Sequence, residues 1–375
     1  MTKKTTAKAT AKTTVKAPTK PKVTETPTDV NDAIVNSAFG HKNRLRLLNE
    51  YFAVEPTRTP AMPAWAHVYR LLLWTDQTTG LAHCYESDKA QPGKPWYARS
   101  LAFHDWISNA LGTPPAKITE QIDWMFQKAA SELAAEVVRK AKALSELAAR
   151  QRAPFEGKGL PSPGEDPELV AIVKQVLGEH IVKEPSPEKW RELVQRIRQY
   201  LTLDNKRKNL LGNGFEDVLG TLVERSCPSV KVYRRRPLPE LPGFNPTPKD
   251  KKPIEVDLAI IRPKMRTLVT AKWSVRADRE KQFVVDYTEY IKANSEGKAF
   301  DYVFVTNEFD PARLMRACDN LASGNSQMFT HVVHISTDAL RATYGSVKEE
   351  SMRKVLGFID TGRLISLDNW LQTLK

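Results

Sequence analysis

Cysteine is scarce: the 375 residues hold three, Cys84, Cys227 and Cys318, far apart in the chain. Three thiols cannot build a disulfide framework, and no metal-thiolate spacing is present, so a reducing cytoplasm is expected. Long apolar runs are also missing; stretches such as residues 71–74 are far too short to cross a bilayer. The N-terminus has no apolar h-region, so no secretory signal is expected, and no membrane role is expected. His83, His104, His180, His331 and His334 show no metal spacing, and Gly212 and Gly214 are not followed by the Gly-Lys-Ser/Thr of a phosphate loop. No Ser or Cys triad signature is present. What the chain has in excess is positive charge: 57 Lys and Arg against 44 Asp and Glu, a formal +13, with an ordinary 41% of hydrophobic residues. That balance favours a polyanionic partner, nucleic acid first.

The length allows two or three domains, each able to bury a core. Residues 1–30 are mostly Thr, Lys, Ala and Pro and read as a disordered basic tail, because nothing in them offsets the entropy of ordering. Seven Lys against Glu25 and Asp29 give the tail +5, so +8 remains for the rest. Residues 31–204 read as a mainly helical N-terminal domain. Its clearest helix, about 119–152, repeats Ile122, Met125, Phe126, Ala129, Leu133 and Val137 at the 3.6-residue period. A Pro- and Gly-rich linker is expected over 153–168, then helices over 167–178 and 187–203, the latter opened by Ser186 and Pro187. From 205 to 375 the pattern changes. A helix is expected from about Gly214, then strands over 230–235, 254–262 and 267–273, a helix over 279–294, a strand over 302–306, a helix over 311–322, a strand over 331–336 and a helical end. This order describes an α/β (α+β) domain, a mixed sheet flanked by helices.

The chemistry concentrates in one expected hairpin. Asp257 lies in the apolar run Ile-Glu-Val-Asp-Leu-Ala-Ile-Ile, Lys272 ends the next strand, and the short turn Arg-Pro-Lys-Met-Arg joins them. Residues near opposite strand ends of a hairpin meet at one end of the sheet. An acid and a Lys there suit a metal-dependent phosphodiesterase: the carboxylate holds a hard cation such as Mg2+, and the ammonium orients water or stabilises charge on the phosphorane. Arg234, Arg235 and Arg236 form a basic run suited either to phosphate contacts or to a solvated strand end.

The hairpin resembles the PD-(D/E)XK nuclease superfamily, with Asp257 as the first acid and Thr270-Ala271-Lys272 as the tripeptide. Thr270 stands where an acid is usual. The continuation through Arg276, Asp278 and Arg279 resembles the K-x3-R-x-(D/E)-R signature of type II restriction endonucleases that recognise CCGG-containing sites. In that group the second acid is displaced to the following helix, commonly fourteen residues after the Lys, which is Asp286 here; Glu289, one turn on, is the alternative. A further acid comes from an earlier helix in the superfamily, and Gly212-Asn-Gly-Phe-Glu216 resembles that element, with Asp217 and Glu224 competing for the role. The resemblance therefore implies Asp257, Asp286 and Glu216 as metal ligands and Lys272 as their catalytic partner. Arg276, Asp278 and Arg279 are the expected base readers, since Arg donates twice to guanine and Asp accepts from cytosine N4. The segment Val-Thr-Asn-Glu308, followed by Pro311 and Arg313, also resembles the group, and Arg313 is expected to touch DNA or brace the interface; an ordinary surface Arg beside a helix cap fits the segment equally.

The expectation is a Mg2+-dependent type II restriction endonuclease of the bacterial cytoplasm, a homodimer or tetramer. It would hydrolyse double-stranded DNA at a palindrome containing CCGG and leave 5′-phosphate ends with a 5′ overhang. A cognate DNA methyltransferase in the same cell is implied as a partner. Two other readings stand beside it: a structure-specific PD-(D/E)XK repair nuclease, and a sequence-specific DNA-binding protein with a dead nuclease site.

Overall fold

A computed structural model describes residues 34–54, 62–75, 92–94, 96–160, 166–246, 252–275, 280–295, 297, 299–322, 326–345 and 349–375. The expected basic tail and the residues Arg276, Asp278 and Arg279 lie outside the described residues.

The N-terminal part is helical, as its periodicity predicts. Its helices are α1 (His41–Val54), α2 (Ala64–Leu72), α3 (Tyr97–Leu111), α4 (Trp124–Arg152), α5 (Pro167–Leu177) and α6 (Pro187–Ser226). Local chemistry sets several starts. Asp166 accepts from the Leu169 amide at 3.1 Å ahead of Pro167, and Ser186 accepts from the Lys189 amide at 3.4 Å ahead of Pro187. The helix expected from 119 begins later, at Trp124, because a 3-10 turn, Pro115–Glu120, precedes it and Asp123 takes a left-handed φ of 61°.

Beyond α6 the chain forms β1 (Lys231–Pro237), β2 (Glu255–Ile261), β3 (Arg266–Lys272), α7 (Glu280–Ala293), β4 (Phe300–Thr306), α8 (Pro311–Asp319), β5 (His331–His334), α9 (Thr337–Tyr344), α10 (Glu350–Asp360), β6 (Leu364–Ser366) and α11 (Leu367–Thr373). The strands make one six-stranded sheet in sequence order. β1, β2 and β3 pair antiparallel, and β3, β4, β5 and β6 pair parallel, so the sheet is mixed, as expected. The three-residue strand β6 was not expected; only a helical end was.

The central strands are apolar almost throughout, because α6 and α7 cover their two faces. On the α7 face, Phe283 packs against Phe304 and Phe329 at ring distances of 5.2 and 5.6 Å, and Tyr290 meets Tyr302 at 5.4 Å. Each such buried aromatic contributes about 1.5–3 kcal/mol of apolar burial. On the other face, Phe215 of α6 meets Trp273 edge-on at 5.3 Å.

The boundary expected at 204/205 falls inside a helix. The helices expected over 187–203 and from about Gly214 are one 40-residue helix, α6, which runs unbroken through that point. One core cluster joins Leu47, Val68 and Phe103 of the N-terminal helices to Val303 and Leu340 of the sheet region. Polar links add to it: the Tyr69 hydroxyl donates to Asn307 Oδ1 at 2.7 Å, and Asp368 Oδ1 accepts from the Ala64 amide at 2.6 Å.

Candidate active site

The β2–β3 pairing runs through Leu258 opposite Val269. One step on, Asp257 falls opposite Thr270, and two further steps bring Glu255 opposite Lys272. Residues directly opposite in a ladder share a face, and so do alternate residues along a strand. Glu255, Asp257, Thr270 and Lys272 therefore line up on one face of the sheet. It is the α7 face, since β3 and β4 pair Thr270 with Phe304 in parallel register.

Three donors converge on a single oxygen of Asp257. Its Oδ2 accepts from the Thr270 hydroxyl at 3.2 Å, the Ala271 amide at 2.9 Å and the Lys272 ammonium at 2.6 Å. The other oxygen, Oδ1, accepts no hydrogen bond among the described residues. Thr270 thus does local work where an acid would be expected from the resemblance: its hydroxyl helps to orient Asp257. The acid and amine of the hairpin meet, as the sequence predicts.

Asp286 comes to the same place from α7. It lines a cavity of about 380 Å³ together with Glu255, Asp257, Lys272, Ser274, Gln282, Phe283 and Tyr290. Gln282 Nε2 donates to its Oδ1 at 2.7 Å. Glu289, the alternative, pairs with Lys292 at 2.7 Å and is not among the cavity's lining residues.

Glu216 reaches the site electrostatically from α6. Burial, with the Asp257 charge, pushes its carboxyl up to about 7, against the pull of Arg235 and Lys272. Burial and the Asp257 charge also raise Asp286, against Gln282 and Lys272. For Lys272, burial alone would lower the ammonium, but Asp257, Glu216 and Asp286 outweigh it and the net shift is upward. The competitors on α6 are committed elsewhere. Asp217 is fully buried and paired with Arg44 Nε at 2.7 Å, and Glu224 pairs with Arg234 at 2.8 Å.

The donors around the cavity are hard oxygens, but they do not close into the expected three-acid set. Among the described residues no three His, Cys, Asp or Glu side chains form a group that could hold a metal ion. Mg2+ keeps several waters and needs only one or two protein carboxylates, supplemented by substrate phosphate. Asp257, with its exempt Oδ1, and Asp286 fit that requirement; Glu216 is instead held by Arg235 at 2.9 Å.

Two further expectations change. Arg234 and Arg235 turn inward, to Glu224 and to Glu216 and Asp217, whereas Arg236, exposed beside Glu240, fits the solvated strand end. Arg313 does not present its guanidinium outward. Its side chain is 10% exposed and turns back onto Glu308 of its own chain at 3.5 Å, so it is not the ordinary surface Arg that was one of the expectations. Glu308 in turn accepts from the Val275 amide at 2.7 Å and the Asp310 amide at 2.8 Å, holding the chain where it leaves β3. The sequence reading missed Glu255 and Gln282 as cavity residues. Glu255 was legible, because it sits two residues before Asp257 on the same strand.

No helix among the described residues is long and apolar enough to cross a membrane. No family model matches the chain, and no curated protein matches it significantly. Among solved structures, the chain is similar to the restriction endonuclease PspGI in complex with substrate DNA, at 14% identity over 63% of this chain and 78% of that one, with a TM-score of 0.30. It is also similar to metal-depleted Ecl18kI in complex with uncleaved, modified DNA, at 12% identity over 77% of this chain and 80% of that one, with a TM-score of 0.28.

Proposed function

We propose that the protein is a Mg2+-dependent type II restriction endonuclease that hydrolyses double-stranded DNA at a palindrome containing CCGG. The observation that carries this reading is the meeting of Lys272 Nζ and Asp257 Oδ2 at 2.6 Å, on the sheet face that also holds Asp286. When bound, Mg2+ supplies positive charge against the scissile phosphate and acidifies nearby water. The chain's own residues do the rest. Thr270, Ala271 and Lys272 pin one oxygen of Asp257 and leave the other for the cation. Lys272, kept charged by three carboxylates, donates to the phosphoryl oxygens and stabilises the charge that builds on phosphorus. Phe283 and Tyr290 supply the cavity's aromatic lining. A bond forms from water oxygen to phosphorus and the bond to the 3′ oxygen breaks. Water loses a proton to solvent, the leaving oxygen gains one, and the products are a 5′-phosphate and a 3′-hydroxyl.

In this reading Arg276, Asp278 and Arg279 follow directly on β3 and read the C·G pairs. Glu308, braced by Arg313, fixes the Val275 amide from which that segment departs. Two copies of the chain read the two halves of the palindrome, and a methyltransferase in the same bacterial cytoplasm protects the host sites. Thr270 in the place of an acid and the short side chain of Asp286 favour a second reading, a DNA-binding protein that does not cut. Plasmid DNA incubated with the protein and Mg2+ separates the possibilities. Discrete fragments support the proposal, a smear points to a repair-type nuclease, and intact plasmid with retained binding supports the second reading.

A further inference from the structure

A second cavity, of about 520 Å³, lies between α1 and α6. Its charged lining is all of one sign: Arg44 of α1 with Lys206 and Lys208 of α6, and no Asp or Glu. Like charges around a cavity repel one another, and low-dielectric walls focus their field into it. Spacing along α6 builds one wall. Lys206, Asn209 and Asn213 recur at i, i+3 and i+7 and so share a face of the helix. Asn209 and Asn213 are exposed, as is Asn36 across from them, so the cavity opens to solvent.

Each cation keeps donors in reserve. Lys206 Nζ donates to a neutral oxygen, Asn36 Oδ1, at 3.1 Å, and meets no carboxylate among the described residues. Lys208 pairs with Asp204 one turn earlier at 2.7 Å. A pair of that i,i+4 kind is worth about 0.3–0.5 kcal/mol, so an incoming anion can share or displace it. Arg44 has a side chain only 7% exposed, with Nε on Asp217 at 2.7 Å and Nη1 on the Phe39 carbonyl at 2.8 Å. Those two bonds fix the guanidinium plane, and Nη2 has no partner among the described residues. The helix face continues from Asn213 to Asp217, roughly 16 Å along the axis from Lys206. Asp217 also pairs with Arg235, which falls between the ladder pairs Arg234–Leu258 and Arg236–Val256 and therefore opposite Asp257. That separation is well within one turn of a duplex, roughly 34 Å.

We propose that this cavity is a second DNA contact, apart from the cutting site, in which Lys206, Lys208 and Nη2 of Arg44 hold a phosphodiester of the duplex backbone. Charged donors suit that ligand, since their hydrogen bonds to phosphate oxygens are about twice as strong as neutral ones. The contact carries no base information; it fixes where the duplex lies on the protein. The inference rests on the reading of the protein as DNA-binding, and it does not require that the DNA be cut.

The test is fluorescence anisotropy of a labelled duplex of arbitrary sequence, without divalent cation, over a range of salt concentrations. It compares the wild-type protein, Lys206→Gln, the double variant Lys206→Gln/Lys208→Gln, Lys206→Arg, and Lys354→Gln, which removes an equal charge from an exposed pair with Glu350 on α10. The double variant is expected to lower the slope of log affinity against log salt by about 0.9, the loss of one neutralised phosphate, and to weaken binding alike on every sequence. Lys206→Arg and Lys354→Gln are expected to keep the wild-type slope. If Lys206→Gln does not fold by circular dichroism, Lys208→Gln alone gives the comparison. A wild-type slope in the double variant overturns the inference, and so does an equal fall in Lys206→Gln and Lys354→Gln, which would mean a net-charge effect. Inorganic phosphate that binds the wild type but not the double variant in calorimetry, with the DNA slope unchanged, would assign the cavity to a free phosphate compound and overturn it too. A wild-type protein that binds no duplex overturns the DNA reading along with it, whereas duplex binding that is blind to Lys206 and Lys208 overturns this inference alone.

Discussion

At the scale of single residues, the buried polar groups divide into those that serve the cavity and those that hold the chain around it. His334 belongs to the second kind. It is fully buried at the end of β5; Ser336 donates its amide to Nδ1 at 3.1 Å, and Nε2 lies 3.1 Å from the Glu308 carbonyl. Nδ1 also lies 2.8 Å from the Ser336 carbonyl, and burial pulls the pKa down to about 4 against the pull of these two carbonyls. Because the folded value lies below the unfolded one, the unfolded chain binds more protons between the two. The stability His334 contributes is complete above its unfolded pKa and is lost as pH falls toward its folded pKa. Between pH 7 and pH 5 this amounts to about 2 kcal/mol. His334→Gln is expected to flatten that part of the pH dependence, measured by urea unfolding at both values. Parallel curves for variant and wild type would remove His334 from the account. Asp257 and Lys272 were legible in the sequence because strand alternation and a short turn determine where they meet. The partners of Arg234, Arg235 and Arg313 were not, because they come from other elements.

At the scale of elements, α6 shows how a correct signal can be misread. Gly212 and Gly214 look like punctuation, yet both lie inside a continuous helix. Gly214 is small for packing, since a Cβ there would sit 3.3 Å from Leu72 Cδ2. Gly220 is small so that Arg234 can lie across the helix; a Cβ would fall 2.5 Å from its Nε. Gly212 has neither duty and faces open space. Gly212→Ala is therefore expected to stabilise the protein by about 0.5–1 kcal/mol, the difference in helix propensity. Gly220→Ala is expected to gain less than Gly212→Ala, because the Arg234 guanidinium must swing aside and its pair with Glu224, worth about 0–1 kcal/mol, is disturbed. Chemical denaturation measures both. A helix that in truth ended near residue 204 would show no gain from Gly212→Ala. The sheet strands were legible from their apolar runs and turn residues. The three-residue β6 was not, since so short a strand leaves no periodicity to read.

At the scale of the molecule, the helical N-terminal part and the sheet share a core. Leu72 packs on Gly214, Phe103 meets Phe309 at 5.1 Å, and Asp368 of the C-terminal helix caps α2. Composition could suggest two domains but could not reveal this sharing, which depends on contacts distant in sequence. The expected consequence is one cooperative unfolding transition, with tryptophan fluorescence and far-UV circular dichroism falling together in urea. Two separated transitions would restore the division near residue 204. The +13 charge predicts DNA binding that weakens steeply with salt, whatever the site preference.

The central claim is that Asp257 and Lys272 meet to cut DNA, and it is tested most directly by comparing wild-type protein and Lys272→Ala on the same DNA in Mg2+, scoring cleavage and binding side by side. The expected result is cleavage slowed by about 100- to 1000-fold, the cost of losing one donor to the developing charge, with DNA binding retained. Cleavage at the wild-type rate in the variant would contradict the account.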